Sequence, residues 1–176
     1  MKKIAGFTLV LFIVALEVSC STPPKQESTQ VPDNIPPMPV AENVTTELPK
    51  LNLTNLDGTH LDMSVMIGKR IIFILFQPDC DHCQNEAKQI STRIPAFSKY
   101  EVYFLSSAPI KEIEKFSVTY KLNTTKNFHF ANTDVQGVID SFGPIPAPSI
   151  FVYSEDGKQV NKFEGEMELD VVIKYL

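Results

Sequence analysis

Apolar and polar positions along the chain change period several times, and each change predicts an element. Residues 50–63, "KLNLTNLDGTHLDM", alternate around Asp57-Gly58. Alternation interrupted by Asp-Gly predicts a β-hairpin. "KRIIFILF", residues 69–76, is a nearly unbroken apolar run, as expected of a strand covered on both faces. Ala87, Ile90, Ile94 and Phe97 then recur at helical spacing, with Pro95 expected to kink or end that helix. "VYFLSS" predicts a strand, Ile110, Ile113, Phe116 and Tyr120 a second helix, and "NFHFA" a short strand. Val135, Val138, Ile139 and Phe142 predict a third helix, stopped by Gly143-Pro144. "SIFVY", Asp156-Gly157 and "KQVNKF" predict a second hairpin, and "EMELDVVIKYL" a closing helix. Strands alternating with helices imply a parallel sheet core, and the two hairpins add antiparallel strands. The expected fold is an α/β three-layer α/β/α sandwich with a mixed central sheet.

The first 50 residues have a different pattern. Lys2 and Lys3 precede an apolar stretch, Ile4–Leu16, that is shorter than a bilayer-spanning helix. Small residues follow, which predicts an export signal over residues 1–19. Cys20 stands where bacterial lipoproteins carry their lipid-modified cysteine, although Glu17 occupies the place usually held by Leu. Multiple acyl chains on Cys20 would anchor the chain to a membrane. Seven of the 13 prolines fall between Ser21 and Lys50, a stretch without aromatics. Such a segment has too little apolar surface to order itself and acts as a spacer. The expected organisation is a signal peptide at 1–19, a lipid-anchored Pro-rich tether at 20–47 and one domain at 48–176. The net charge of −5 argues against nucleic acid as a partner.

Candidate chemistry centres on "FILFQPDCDHCQNEA", residues 73–87. Cys80 and Cys83 could be a redox pair, a metal site or a structural staple. If Cys20 carries lipid, one pair remains in an exported domain, where disulfides persist. A loop this short gains little from cross-linking, so a staple is weak. Cys80 falls between an expected strand and an expected helix. A helix N-terminus lowers a thiol's pKa and favours the nucleophilic thiolate. Cys83, one turn later, is placed to resolve a mixed disulfide. His82 beside the thiolate would stabilise it, whereas Asp79 and Asp81 would oppose it.

With these motifs in place, the chain resembles the thioredoxin-like fold. It is most similar to the exported TlpA/ResA-like thiol–disulfide oxidoreductases within the AhpC/TSA-related redoxin group. The resemblance spans roughly residues 48–176. It rests on the opening hairpin and strand "LNLTNLDGTHLDMSVMIGKRIIFILF", on "CDHCQNEA" and on "APSIFVYSEDGKQV". It implies that Glu86 is a partly buried acid that exchanges a proton with Cys83. It also implies that Pro148 is a cis-proline facing the cysteines, with Pro144 and Pro146 as rivals. The chain departs from the family pattern in having Asp79 where Trp is usual and His82 where Pro is frequent.

The expected function is membrane-tethered exchange of disulfides with envelope proteins, facing the periplasm or the outside. It needs no cofactor beyond the Cys80–Cys83 disulfide, and an upstream membrane electron donor is an implied partner. Two alternatives compete. Cys80, His82 and Cys83 offer soft ligands for copper, but His60 and His129 are isolated and a closed zinc site needs four ligands. No metal is therefore expected. A thiol peroxidase of the same group would carry Thr three residues before the attacking cysteine, where this chain has Gln77.

Overall fold

A computed structural model describes residues 47–176. The expected signal peptide, Cys20 and the tether through residue 46 lie outside the described residues. The described part holds one seven-stranded mixed sheet and four α-helices.

The first hairpin pairs β1 (Leu53–Asn55) with β2 (His60–Leu61). Its turn needs Gly58, whose φ of 84° lies in the left-handed region that glycine enters without a Cβ clash. Asp57 closes the turn by accepting from the Thr59 N–H at 2.9 Å. The apolar run forms β3 (Ile71–Leu75), buried at every position. It leads through a turn into α1 (Asp81–Thr92), followed by β4 (Glu101–Ser106) and α2 (Ile110–Thr119). Next come β5 (Phe128–Thr133) and α3 (Val135–Phe142). The second hairpin joins β6 (Ser149–Tyr153) to β7 (Gln159–Glu164), and α4 (Leu169–Ile173) closes the chain.

The strand order is β2-β1-β5-β4-β3-β6-β7. β5, β4 and β3 run parallel, as their helical crossovers require. β1 joins β5, and β6 joins β3, in antiparallel pairs. Alternate residues of β3 feed opposite cores. Ile72 and Ile74 pack with Ala87, Ile90, Ile113, Phe116 and Val172 from α1, α2 and α4. Ile71, Phe73 and Leu75 pack on the other face with Phe142 of α3. The sheet is therefore the middle of three layers.

The helix that Pro95 was expected to kink or end stops at Thr92, and Ile94–Phe97 forms a separate 3-10 turn with Pro95 in its opening positions. Proline has no N–H for the helical ladder and crowds the preceding turn, so the α-helix stops before it. On α3 only Phe142 is buried, while Val135 is 57% and Ile139 43% exposed. Their spacing is helical, but they border an open cavity of about 540 Å³ that also meets Leu105 and Ile145.

Phe73 is fully buried and meets the rings of Tyr103, Phe142 and Tyr153. Phe73→Ala is expected to cost about 3–5 kcal/mol in urea unfolding. Val160→Ala, on a half-exposed edge position, is expected to stay within about 0.5 kcal/mol.

Candidate functional site

Cys80 is the N-cap of α1. Its backbone is extended, with φ −83° and ψ 119°, and its sulfur takes the place of the usual capping oxygen. The Cys83 N–H donates to Cys80 Sγ at 3.3 Å. A helix N-terminus favours negative charge, because its first amides have no helical acceptors. Cys80 is partly exposed and Cys83 is buried; both are free thiols. One helical turn thus separates a reachable sulfur from a shielded one.

The sheet register brings a second segment to this point. β6 runs antiparallel to β3 with Leu75 opposite Ser149. The residues just before β6 therefore meet those just after β3. The Ala147–Pro148 peptide is cis, and the Cys80 thiol donates to the Ala147 carbonyl at 3.7 Å. Pro146 accepts from the Ser149 hydroxyl at 2.7 Å, and Pro148 accepts from the Gly165 N–H at 2.8 Å. Among the three rival prolines, Pro148 is the cis residue; its role in exchange belongs to the functional reading below.

Behind the thiols the surroundings become apolar. Burial pushes the Cys83 thiol well above its ordinary range, and its contact with Cys80 adds to the rise. The Gln77 N–H, donating to Cys83 Sγ at 3.5 Å, works in the opposite direction. Glu86 follows on the same helix and is 2% exposed. Its Oε1 finds no hydrogen-bond partner among the described residues. Burial, followed by the nearby charge of Glu166, pushes Glu86 up to about 8. A carboxyl without a compensating donor or cation keeps its proton in such surroundings.

Other candidates are placed differently from expectation. Asp81 opens the first turn of α1 and Asp79 lies in the preceding turn. The His82 ring was expected to stand beside the thiolate. Instead, its Nδ1 lies 2.5 Å from Glu166 Oε2, and its side chain is 69% exposed. The imidazole thus finds its hydrogen-bond partner on the turn after β7 and not at the sulfurs. His129 bonds Glu101 and stacks on Tyr103 at the other end of the sheet. Among the described residues, no cluster of three or more His, Cys, Asp or Glu side chains has metal-site geometry.

Sequence reasoning missed Glu166, Ala147 and the positive contribution of Gln77. Gln77 entered only as a replacement for Thr. In the structure its amide bonds the Ser107 and Ser106 hydroxyls, at 3.0 and 3.2 Å, while its N–H faces Cys83. Ala147 was readable once Pro148 was paired with the thiols. Glu166 has no local signal, because its partner lies 84 residues away.

Comparison with known proteins agrees with this geometry. The AhpC/TSA family model matches residues 44–161. The thiol-disulfide oxidoreductase ResA of Bacillus cereus (strain ATCC 10987 / NRS 248) is 23% identical over 133 residues, covering 74% of this chain and 75% of that protein. A secreted Mycobacterium tuberculosis disulfide oxidoreductase, homologous to E. coli DsbE, superposes with a TM-score of 0.58 at 24% identity. The match covers 70% of this chain and 92% of that one. StoA from Bacillus subtilis gives a TM-score of 0.53 at 17% identity, over 73% of this chain and 98% of its own. These two solved structures share the fold.

Glu86 makes a test of the buried site through stability. An acid that binds its proton more tightly when folded loses the fold's stability as pH rises from its ordinary value toward its raised one. That window runs from 4.5 to about 8. Glu86→Gln is therefore expected to gain on the wild type across this window, with the difference complete above pH 8. Denaturant unfolding of both reduced proteins at pH 4.5, 6 and 8.5 checks it. The low-pKa surface carboxylates are common to both proteins and cancel in the difference.

Proposed function

We propose that this chain, which belongs to the AhpC/TSA family, is an exported thiol–disulfide oxidoreductase of the ResA type that acts through Cys80 and Cys83. The observation that carries this reading is the unequal pair: a partly exposed sulfur at a helix N-cap, backed by a buried thiol and a buried acid.

Cys80, as thiolate, attacks one sulfur of a substrate disulfide. The substrate S–S bond breaks, a mixed disulfide forms and one substrate thiolate leaves. The Cys83 thiol then gives its proton to ionised Glu86, and its sulfur attacks Cys80. The mixed disulfide breaks, the Cys80–Cys83 disulfide forms and the second substrate sulfur leaves. Two electrons have passed from the pair to the substrate. In the reverse direction, neutral Glu86 returns the proton to Cys83 as the pair is opened. At neutral pH Glu86 mostly holds its proton, so this second direction is the better served. Burial of Cys83 restricts outside thiols, while its proximity makes resolution intramolecular. Pro148 contributes by lacking an N–H beside the reacting sulfurs, which leaves backbone acceptors such as Ala147 O facing the substrate.

The partners in this reading are thiol and disulfide proteins of the cell envelope, with a membrane electron donor upstream. Lipid on Cys20 and the Pro-rich tether would hold the domain at the membrane surface. The signal-like first 19 residues support export, and the secreted Mycobacterium tuberculosis oxidoreductase that shares the fold is consistent with it. Gln77 carries an amide where a peroxidase of this group carries a Thr hydroxyl, which favours disulfide exchange over peroxidase chemistry.

Cys83→Ser is expected to accumulate mixed disulfides on Cys80, seen on non-reducing gels and lost on adding dithiothreitol. Cys80→Ser is expected to abolish exchange and trap little. Glu86→Gln is expected to slow resolution by roughly 10²-fold. A Cys83→Ser protein that traps nothing, beside a wild type that binds copper tightly, would overturn the reading. Mass spectrometry of the mature N-terminus tests the anchor: a diacylglyceryl-modified Cys20 is expected, and a free N-terminus elsewhere contradicts it.

A further inference from the structure

The cavity of about 540 Å³ beside α3 opens next to the thiol site. Leu75, Leu105 and Thr133 border it from the ends of β3, β4 and β5. Val138, Ile139 and Ile145 border it from α3 and the segment that follows. It thus lies at the carboxyl ends of three parallel strands, where open α/β sheets bind ligands. Two of its residues also touch the sulfurs. The Ala147 carbonyl accepts from the Cys80 thiol at 3.7 Å, and the Gln77 N–H donates to Cys83 Sγ at 3.5 Å. A partner chain joined to Cys80 therefore lies beside the mouth of this cavity. The apolar side chains of Val135 and Ile139 stay exposed at its edge.

One corner of this apolar cavity is polar. Strand side chains alternate, so Thr133 shares a sheet face with Ala131, which packs on the α3 side. Thr133 is 2% exposed, and its hydroxyl has no hydrogen-bond partner among the described residues. Ser107 stands one step past the Ser106–Asn132 pair of β4 and β5, level with Thr133, and borders the same cavity. Its hydroxyl accepts from Gln77 Nε2 at 3.0 Å, and its own proton meets no acceptor among the described residues. The corner is held in place from behind. Gln77 Oε1 accepts from the Ser106 hydroxyl at 3.2 Å, and Asn132 Nδ2 donates to the Ala108 carbonyl at 2.8 Å. A buried hydroxyl without a partner is costly, so a ligand oxygen that accepts from this corner is favoured.

We propose that this cavity is the specificity pocket of the exchange site, and that it takes a tyrosine side chain flanking the reacting cysteine of the partner protein. The proposal rests on the thiol–disulfide reading and names its substrate class. Apolar walls with a polar corner call for a side chain with an apolar body and a polar tip. The tip must accept a hydrogen bond, because the corner offers hydroxyl protons. A phenol oxygen accepts, whereas an indole N–H only donates and a phenylalanine leaves both hydroxyls unanswered. Asparagine and glutamine accept as well, but they bring too little apolar surface for walls made by Leu75, Leu105, Val138 and Ile139. Continuity with Ala147 favours a residue of the partner chain over a free molecule, since the same chain carries the sulfur that Cys80 attacks.

The test is kcat/KM of the reduced full-length protein toward disulfide-linked peptides that differ only in carrying Tyr, Phe or Ala at one of the two positions on either side of the cysteine. At one of these positions Phe is expected to exceed Ala by roughly tenfold, and Tyr to exceed Phe by roughly three- to tenfold. Thr133→Val, which keeps the volume and removes the hydroxyl, and Ser107→Ala are each expected to shrink the Tyr-to-Phe ratio while Phe still exceeds Ala. Ile139→Ser is expected to shrink the Phe-to-Ala ratio. Equal rates for the three residues at every position, or a Tyr-to-Phe ratio untouched by both hydroxyl removals, overturns the proposal. A wild type that exchanges with none of the peptides overturns the oxidoreductase reading instead. The pocket is then judged by ¹⁵N NMR with the same peptides carrying Ser for Cys: tyrosine-dependent shifts of the Thr133 and Val138 amides support it, and their absence overturns it.

Discussion

The Cys83 amide donates to the Cys80 sulfur, and this one bond places the two thiols in unequal surroundings. It exists because α1 starts at Asp81, with Cys80 serving as its cap. A start one residue earlier would draw Cys80 into the first turn and remove its capping role. A start one turn later would take the Cys83 amide out of reach. The helix in turn starts there because β3 ends at Leu75 and the Gln77-Pro78-Asp79 turn breaks the strand. Capping, burial of Cys83 and the depth of Glu86 all follow from that boundary.

The sheet supplies the other half of the site. Antiparallel pairing of β6 with β3 sets Ser149 against Leu75, so the sheet register brings the Pro148 segment to the sulfurs, where Ala147 O accepts from the Cys80 thiol. The register itself is held by packing. A slip of one residue would exchange Ile150 and Val152 for Phe151 and Tyr153 between the two cores. Aromatic packing on the α3 face, centred on Phe73, therefore bears on catalytic geometry several residues away.

Much of this was legible in the sequence, for identifiable reasons. β3 showed as an unbroken apolar run because both of its faces are covered. The hairpins showed through Asp57-Gly58 and Asp156-Gly157, where glycine meets a backbone requirement. Cys80 and Cys83 stood out at the junction of an expected strand and an expected helix, whereas Glu86 and Pro148 came only from the family resemblance, because neither a helical Glu nor one of three nearby prolines is distinctive by itself. The helix end at Thr92 was blurred because Ile94 and Phe97 continue the helical spacing from a separate turn. The apolar spacing of Val135, Val138, Ile139 and Phe142 marked α3, but periodicity reports a face and not what covers it, and of these only Phe142 is buried. The outward turn of His82 depended on Glu166, a contact created only when the turn after β7 reaches the start of α1.

The central claim is that Cys80 is the reacting sulfur and Cys83 the shielded one. Limited alkylation of the fully reduced protein at pH 7, with the label located by peptide mass spectrometry, tests it most directly. The account predicts that Cys80 is modified first and almost alone while the fold persists, with Cys83 labelled only on unfolding. Equal labelling of the two, or earlier labelling of Cys83, would contradict it.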